Sequence, residues 1–416
     1  MNKVENKIEL MAPVGSYQSL HAAINAKCDS IFFGVTQLNM RATASKNMTL
    51  KDLKQVAKIC HKNNVKAYLT LNTLLYDHDL NLAYKIIDVV KESGIDSIIA
   101  SDMAAIMYAN KIGVNVHIST QLSVSNIETV KYFAEFSDMI VLARELTLPM
   151  IKRICDEIDK QDIRGKSGNR MKIEVFGHGA MCVAVSGRCS MSLLTDNSSA
   201  NRGACRQNCR RSYKIIDTET NTALKIENDY VMSPSDLCTI GLLDELVATG
   251  IDVLKIEGRG RSADYVDTVI RCYREALNSL NNGTYTKEKI KDWNKRLGTT
   301  YNRGHSHGFY LGKPYVQWSG VYGNKATEKR TAVGVVNKYY PKAKVVEVLL
   351  SDGDFDNKSK FHITGNTTGI VRGDTADIWF EGKPVKKAIK GSIISFKLKK
   401  PVRSKDILYI VSKVNE

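Results

Sequence analysis

The chain has 416 residues, 43% hydrophobic and 25% charged, the balance of an ordinary globular protein with room for two or three domains. No apolar run is long enough to span a membrane, and the opening "MNKVENKIELMAP" mixes charges with apolar residues, so a cytoplasmic protein without membrane contact is the expectation. The formal charge is +16 and the last fifth supplies much of it: residues 331–416 carry 16 Lys+Arg against 9 Asp+Glu, and Val385 to Lys405 holds eight basic residues and no acid. That concentration points to a polyanionic partner.

Short β-rich runs alternate with helical patterns over the first 260 residues. Strands are predicted at 8–15, 30–35, 66–72, 97–101, 114–120, 139–144, 172–179 and 253–258. The intervening stretch "TLKDLKQVAKICHK" puts Leu50, Leu53, Val56 and Cys60 on one stripe, with Thr49 as N-cap. Alternating strands and helices imply right-handed crossovers and a parallel sheet. Eight such units in roughly 250 residues give the count and length of an α/β fold of TIM-like (β/α)₈ type. Chemistry then sits at the C-terminal strand ends, where the sequence places Asn72, His117 with Gln121, Arg144 with Glu145, His178, and Glu257 with Arg259.

Between Gly179 and Val253 the rhythm breaks, with roughly seventy residues where a crossover needs far fewer. This insertion, over about 180–250, holds a predicted hairpin in "YKIIDTETNTALKI" and a predicted helix in "DLCTIGLLDELVATG". After the helix "SADYVDTVIRCYREALNSL", a connector at 311–327 separates the first domain (1–310) from a tail at 328–416. Six short alternating segments in that tail predict a small basic antiparallel β-barrel that binds RNA.

Of nine cysteines, Cys28, Cys60, Cys155 and Cys272 read as core residues. The other five, Cys182, Cys189, Cys205, Cys209 and Cys238, fall in the insertion among glycines and Arg188, Arg202, Arg206, Arg210 and Arg211. Arginine lowers thiolate pKa, and thiolate is the metal-binding form. A zinc site would show paired knuckles, and only Cys205/Cys209 has that spacing; an iron–sulfur cluster accepts thiolates from dispersed loops. No H-E-x-x-H and no G-x-S-x-G is present, which leaves a peptidase only a Cys–His pair such as Cys182 with His178.

"EVFGHGAMCVAVSGRCSMS" resembles the signature of the U32 family, once labelled collagenase-like peptidases. "ELMAPVGSYQSLHAAINAKCDSIFFG", "AYLTLNTLLYDHDL", "HISTQLSVSN", "NRGACRQNCR", "SPSDLC" and "LKIEGRGRSADYV" agree with it over residues 8–310. Cys28 and Asp29 stand where the family usually shows Gly-Ala-Asp. The ending "NRGHSHGFYLG" followed by one small β-domain resembles the branch of tRNA hydroxylation proteins. That resemblance implies a tRNA-modifying enzyme that forms 5-hydroxyuridine at the wobble position without molecular oxygen. It also implies a [4Fe–4S] cluster on Cys182, Cys189, Cys205 and Cys238, with prephenate as a co-substrate. The expected partners are tRNA, a small carboxylate metabolite and a partner subunit of the same family. For catalysis the reading selects His178, Glu257 and Arg259, and for binding the small molecule it selects Arg41, Arg202 and Asn72. The alternatives are a hydroxylase of rRNA or of a quinone precursor, a zinc-stapled RNA-binding protein, and a peptidase.

Overall fold

The computed structural model describes residues 8–43, 47–224, 230, 232–312, 318–320, 323–374 and 377–414. All eight predicted barrel strands form. They are β1 (Glu9–Pro13), β2 (Ser30–Gly34), β3 (Lys66–Leu71), β4 (Ser97–Ala100), β5 (Val116–Ile118), β6 (Met139–Val141) and β7 (Lys172–Gly179), closed by a strand at Val253–Ile256. That last strand pairs in parallel with both β1 and β7, which shuts the cylinder. Helices α1 (Tyr17–Asn25), α2 (Leu53–Lys62), α3 (Asp77–Ser93), α4 (Met103–Ile112), α5 (Ile127–Ala134) and α6 (Leu148–Lys160) cover the outside. Thr49 caps a short 3₁₀ turn that leads into α2, whose Leu53, Val56 and Cys60 are buried as the stripe predicts.

Side chains alternate across each strand. Leu10, Ile31, Leu69, Ile98 and Leu254 face the helices, while Met11, Phe32, Tyr68, Ile99, Met139 and Val253 fill the barrel interior. That interior also holds an ion pair, Lys255 Nζ to Glu174 Oε1 at 2.7 Å, beneath the mouth.

The insertion carries α7 (Met191–Asp196), a hairpin of β8 (Ile215–Asp217) and β9 (Thr222–Leu224), and a strand β10 (Asp236–Cys238). The predicted helix over 236–250 therefore shrinks to α8 (Leu243–Val247), ahead of the closing strand β11 (Val253–Ile256). The reason is tertiary: β10 pairs antiparallel with the end of β7, and Thr239 gives its N–H and hydroxyl to the Gly177 carbonyl at 3.1 and 2.9 Å. Sheet pairing overrides the helical pattern there.

Beyond α9 (Ala263–Asn281), α10 (Lys287–Gly298) and β12 (His305–Ser306) lies the C-terminal unit. It comprises β13 (Glu328–Tyr340), β14 (Val345–Leu349), β15 (Phe355–Asp356), β16 (Lys360–Gly365), β17 (Gly369–Gly373), β18 (Ile378–Phe380), β19 (Lys383–Val385), β20 (Lys387–Ala388), β21 (Ile393–Lys397) and β22 (Ile407–Lys413). The expected barrel is realised as an eight-stranded antiparallel sheet, β17-β16-β22-β13-β14-β21-β18-β19, wrapped around Phe355, Phe361 and Phe396. The unit docks on α1 and α9. Ile370 packs with Ala22 and Ala263, Arg330 meets Asp264 at 2.8 Å, and Arg372 meets Asp267 at 2.9 Å.

Candidate functional site

At the C-terminal end of the barrel two adjoining cavities of about 150 and 120 Å³ share Arg41, Arg144, Cys182, Cys205, Cys209 and Glu257. The inner one is floored by Phe32, Thr70, Asn72, Ile99, Phe176, Lys255 and Arg259, with Cys189 on its wall; Arg210, Arg261 and Arg303 line the outer one. The linings hold one acid, Glu257, and no histidine among the described residues. An anion entering this mouth meets a strongly positive field, strengthened by low-dielectric walls.

The four thiols are presented by loops pinned to the barrel. Glu145, just past β6, accepts hydrogen bonds from the Ser186 backbone N–H at 2.7 Å and its hydroxyl at 3.2 Å, which fixes the turn between Cys182 and Cys189. Arg188 Nε donates to the Gln121 carbonyl at 2.8 Å. Half-buried Arg210 donates to Ser233 Oγ, to the Pro234 carbonyl and to the Met181 carbonyl, so the chain around Cys209 is tied to both neighbouring segments. Gly203, at φ +85°, lets this loop pass under the Asn39 carbonyl, where a Cβ would collide.

Two sulfurs accept backbone hydrogen bonds, Cys189 Sγ from Met191 N–H and Cys205 Sγ from Gln207 N–H, both at 3.4 Å. Hydrogen bonds of this kind tune a sulfur that holds a metal. Burial raises the Cys209 pKa, Arg210 lowers it, and the nearby Cys182, Cys205 and Cys189 raise it again. The thiols surround the cavity without closing on one point: among the described residues no three His, Cys, Asp or Glu side chains could hold a single ion. Four thiols set around a cavity, with N–H···S donors and surplus positive charge, are the residues that could hold a metal cluster here.

Cys238, expected as a ligand, is not part of this group. Its strand β10 pairs with β7 so that Cys238 stands opposite His178. A bulge explains where both point. In the β7–β11 ladder Phe176 pairs with Lys255, but the next partners are His178 and Ile256, so Gly177 is an extra residue. One inserted residue flips the side chains that follow to the other face. Phe176 therefore lines the cavity, while His178 is buried outside the barrel against α9. There Tyr273 Oη lies 3.3 Å from His178 Nδ1 and 3.9 Å from Cys238 Sγ. Burial and neighbouring His305 push the His178 pKa well down, and burial pushes the Cys238 thiol up to about 11. Cys209 lines both cavities, and His178 faces away from them.

Arg202 is also committed elsewhere. Its guanidinium grips Asp79 at 2.6 and 3.2 Å and lies 4.1 Å over the Tyr76 ring, locking the start of α3. His117 sits a layer deeper, edge-on to Tyr68 at 4.4 Å, with its pKa lowered to about 3 by burial and by Lys255, Lys66 and Lys172. Asn72 does line the cavity, but its amide joins Ser119 and Gln121 at 3.3 and 3.1 Å, and its carbonyl accepts Met40 N–H at 3.2 Å.

Glu257, Arg259 and Arg41 do meet at the mouth. Arg41 Nη2 lies 3.5 Å from Glu257 Oε1. Burial raises the Glu257 pKa, but Arg41, Arg259, Arg144 and Lys255 outweigh it and hold the carboxylate charged. Arg259 is fully enclosed, and burial lowers its pKa to about 10. Nη1 donates to Asn39 Oδ1 at 3.0 Å and Thr70 Oγ1 at 2.7 Å, and Nε is buried without a partner among the described residues. Space for it comes from Gly34, where a Cβ would stand 2.5 Å from Nη1.

The model of peptidase family U32 matches residues 15–320. The chain belongs to peptidase family U32. Among its relatives, a protein of Porphyromonas gingivalis named collagenase is 46% identical over 99% of both chains. The tRNA hydroxylation protein P1 of Bacillus subtilis is 31% identical over 81% of this chain and 78% of its own. The 23S rRNA 5-hydroxycytidine C2501 synthase of Escherichia coli is 31% identical over 67% of this chain and 41% of its own. This U32 chain has no helix, among the described residues, long and apolar enough to cross a membrane.

Sequence reasoning missed Lys255, Glu174 and the loop-pinning role of Arg210. The signal was present for the first two: charged residues stand at the inward phase of "KIEVFG" and "VLKIEG".

Proposed function

We propose that this chain is an iron–sulfur RNA hydroxylase that oxidises C5 of a pyrimidine, with the wobble uridine of tRNA as its substrate. The observation that carries the reading is the set Cys182, Cys189, Cys205 and Cys209 lining an arginine-walled cavity at the barrel mouth. The relatives named for tRNA and rRNA hydroxylation support it.

A [4Fe–4S] cluster on these thiols would supply one-electron redox chemistry at the cavity wall. The chain's own residues do the rest. Phe32, Ile99 and Phe176 give the cavity an apolar floor, with Lys255 and Arg144 over the two rings, and an unpaired wobble base reaches the mouth at modest unstacking cost. Arg41, backed by the enclosed Arg259, receives a carboxylate of a small metabolite such as prephenate. Glu257, held ionised, is a poor proton donor; it fixes Arg41.

A cysteine-peptidase reading lacks its base, because the bulge at Gly177 turns His178 outward and no other histidine lines the cavity among the described residues. Purification without oxygen should give a brown protein with about four irons per chain. Retained colour in Cys209→Ala, or a colourless wild type that binds zinc alone, would overturn the ligand set.

A further inference from the structure

The outer face of the C-terminal sheet carries aromatic side chains that no core residue covers. Along β13-β14-β21-β18-β19 the inward positions Val346, Val348, Ile378, Ile394 and Phe396 are buried. The outward row in register runs Lys338, Glu347, Ser395, Trp379, Pro384, and the row beside it includes Tyr340, Val345 and Lys397. Trp379 is 47% exposed and Tyr340 39%. The indole's in-register neighbours, serine and proline, are too small to cover it. Around it lies a depression of about 460 Å³, with Pro384, Lys386, Lys397 and one acid, Asp377, on its walls. Tyr340 sits three strand spacings across and two residues along, about 16 Å away, with Lys338 Nζ 5.0 Å above its ring. Of the nearby acids, Glu347 is engaged by Asn337 and Tyr340 at 3.4 and 3.5 Å.

We propose that this face binds single-stranded RNA, with Trp379 and Tyr340 stacking unpaired bases while Lys338, Lys386 and Lys397 meet the backbone. The proposal rests on the reading that the substrate is RNA and adds where the strand is held away from the reacting base. Exposed aromatics interleaved with lysines on a sheet are the chemistry of strand binding without sequence readout. Lysine is depleted at the cores of protein–protein interfaces, and the neighbouring 385–405 stretch holds eight basic residues and no acid, so charge complementarity selects a polyanion.

The test titrates the full-length protein with a short unstructured RNA oligonucleotide and with an RNA duplex, at several salt concentrations. Trp379→Ala should weaken the single strand about tenfold, with an unchanged log–log salt slope, because stacking and not a phosphate contact is lost. Trp379→Phe should recover most of that affinity. Lys397→Gln should reduce the slope by about 0.7. Trp379 is on the surface, so an unchanged melting curve will show that the variants are folded. Unchanged affinity of Trp379→Ala, equal loss on the duplex, or no binding of single strands overturns the proposal; so does finding the same residues buried by a protein partner. If the cell's hydroxylated nucleosides depend on this gene while Trp379→Ala binds RNA normally, only this proposal fails. If they do not depend on it, the catalytic reading fails whatever this face binds.

Discussion

The joint between the barrel and the C-terminal sheet should weaken in mild acid because of one histidine. His362, on β16 between Tyr409 and Arg372 in register, is 3% exposed, and neither ring nitrogen has a partner among the described residues. It lines a junction cleft with Arg330, Arg372, Asp264 and Glu328. Burial, then Arg372, Arg330 and Lys360, lower its pKa from 6.5 to about 3. The folded value lies below the unfolded one, so this contribution to stability is whole above pH 6.5 and is lost as pH falls toward 3. With 1.36 kcal/mol per pKa unit, the loss between pH 8 and pH 5 is about 2 kcal/mol. Urea unfolding of the full chain at both pH values measures it. His362→Gln, which does not titrate, should lose about 2 kcal/mol less than wild type over that interval. An identical loss in both proteins would refute the reasoning.

Cys209→Ala should lower iron content and bleach the chromophore, while Cys238→Ala keeps both, as metal analysis and absorption of anaerobic samples would show. Arg259→Ala should abolish the hydroxylated nucleoside and leave oligonucleotide binding intact, and Arg259→Lys should rescue little, since an ammonium cannot reproduce the fork. Gly34→Ala should mimic part of that loss by crowding Arg259 Nη1; wild-type nucleoside levels in that variant would mean the guanidinium's position is unimportant. Lys255→Met leaves Glu174 uncompensated inside the barrel and should cost about 3–5 kcal/mol in denaturant unfolding.

The barrel was legible because its strands are short apolar runs between amphipathic helices, a pattern that repeated eight times. The mouth residues Asn72, Arg144, Glu257 and Arg259 were legible for the same reason: the end of a parallel strand fixes where its next residue goes. What failed was what depends on pairing. Nothing in "EVFGHG" announces that Gly177 is an extra residue in the ladder, which turns His178 to the outer face. Nothing in "SPSDLC" announces a strand antiparallel to β7, which sets Cys238 opposite His178 and outside the cavity lining. Arg202 was selected for binding a small molecule, and its engagement by Asp79, 123 residues earlier in the chain, is invisible to local pattern.

Nucleoside mass spectrometry of RNA from a strain lacking this chain, complemented with either wild type or Cys209→Ala, tests the central claim most directly. The account predicts that a 5-hydroxypyrimidine, in tRNA the wobble 5-hydroxyuridine and its derivatives, disappears in the deletion. It should return with wild type and stay absent with Cys209→Ala. Unchanged hydroxylated nucleosides in the deletion strain, with no second copy of the gene to compensate, would contradict it.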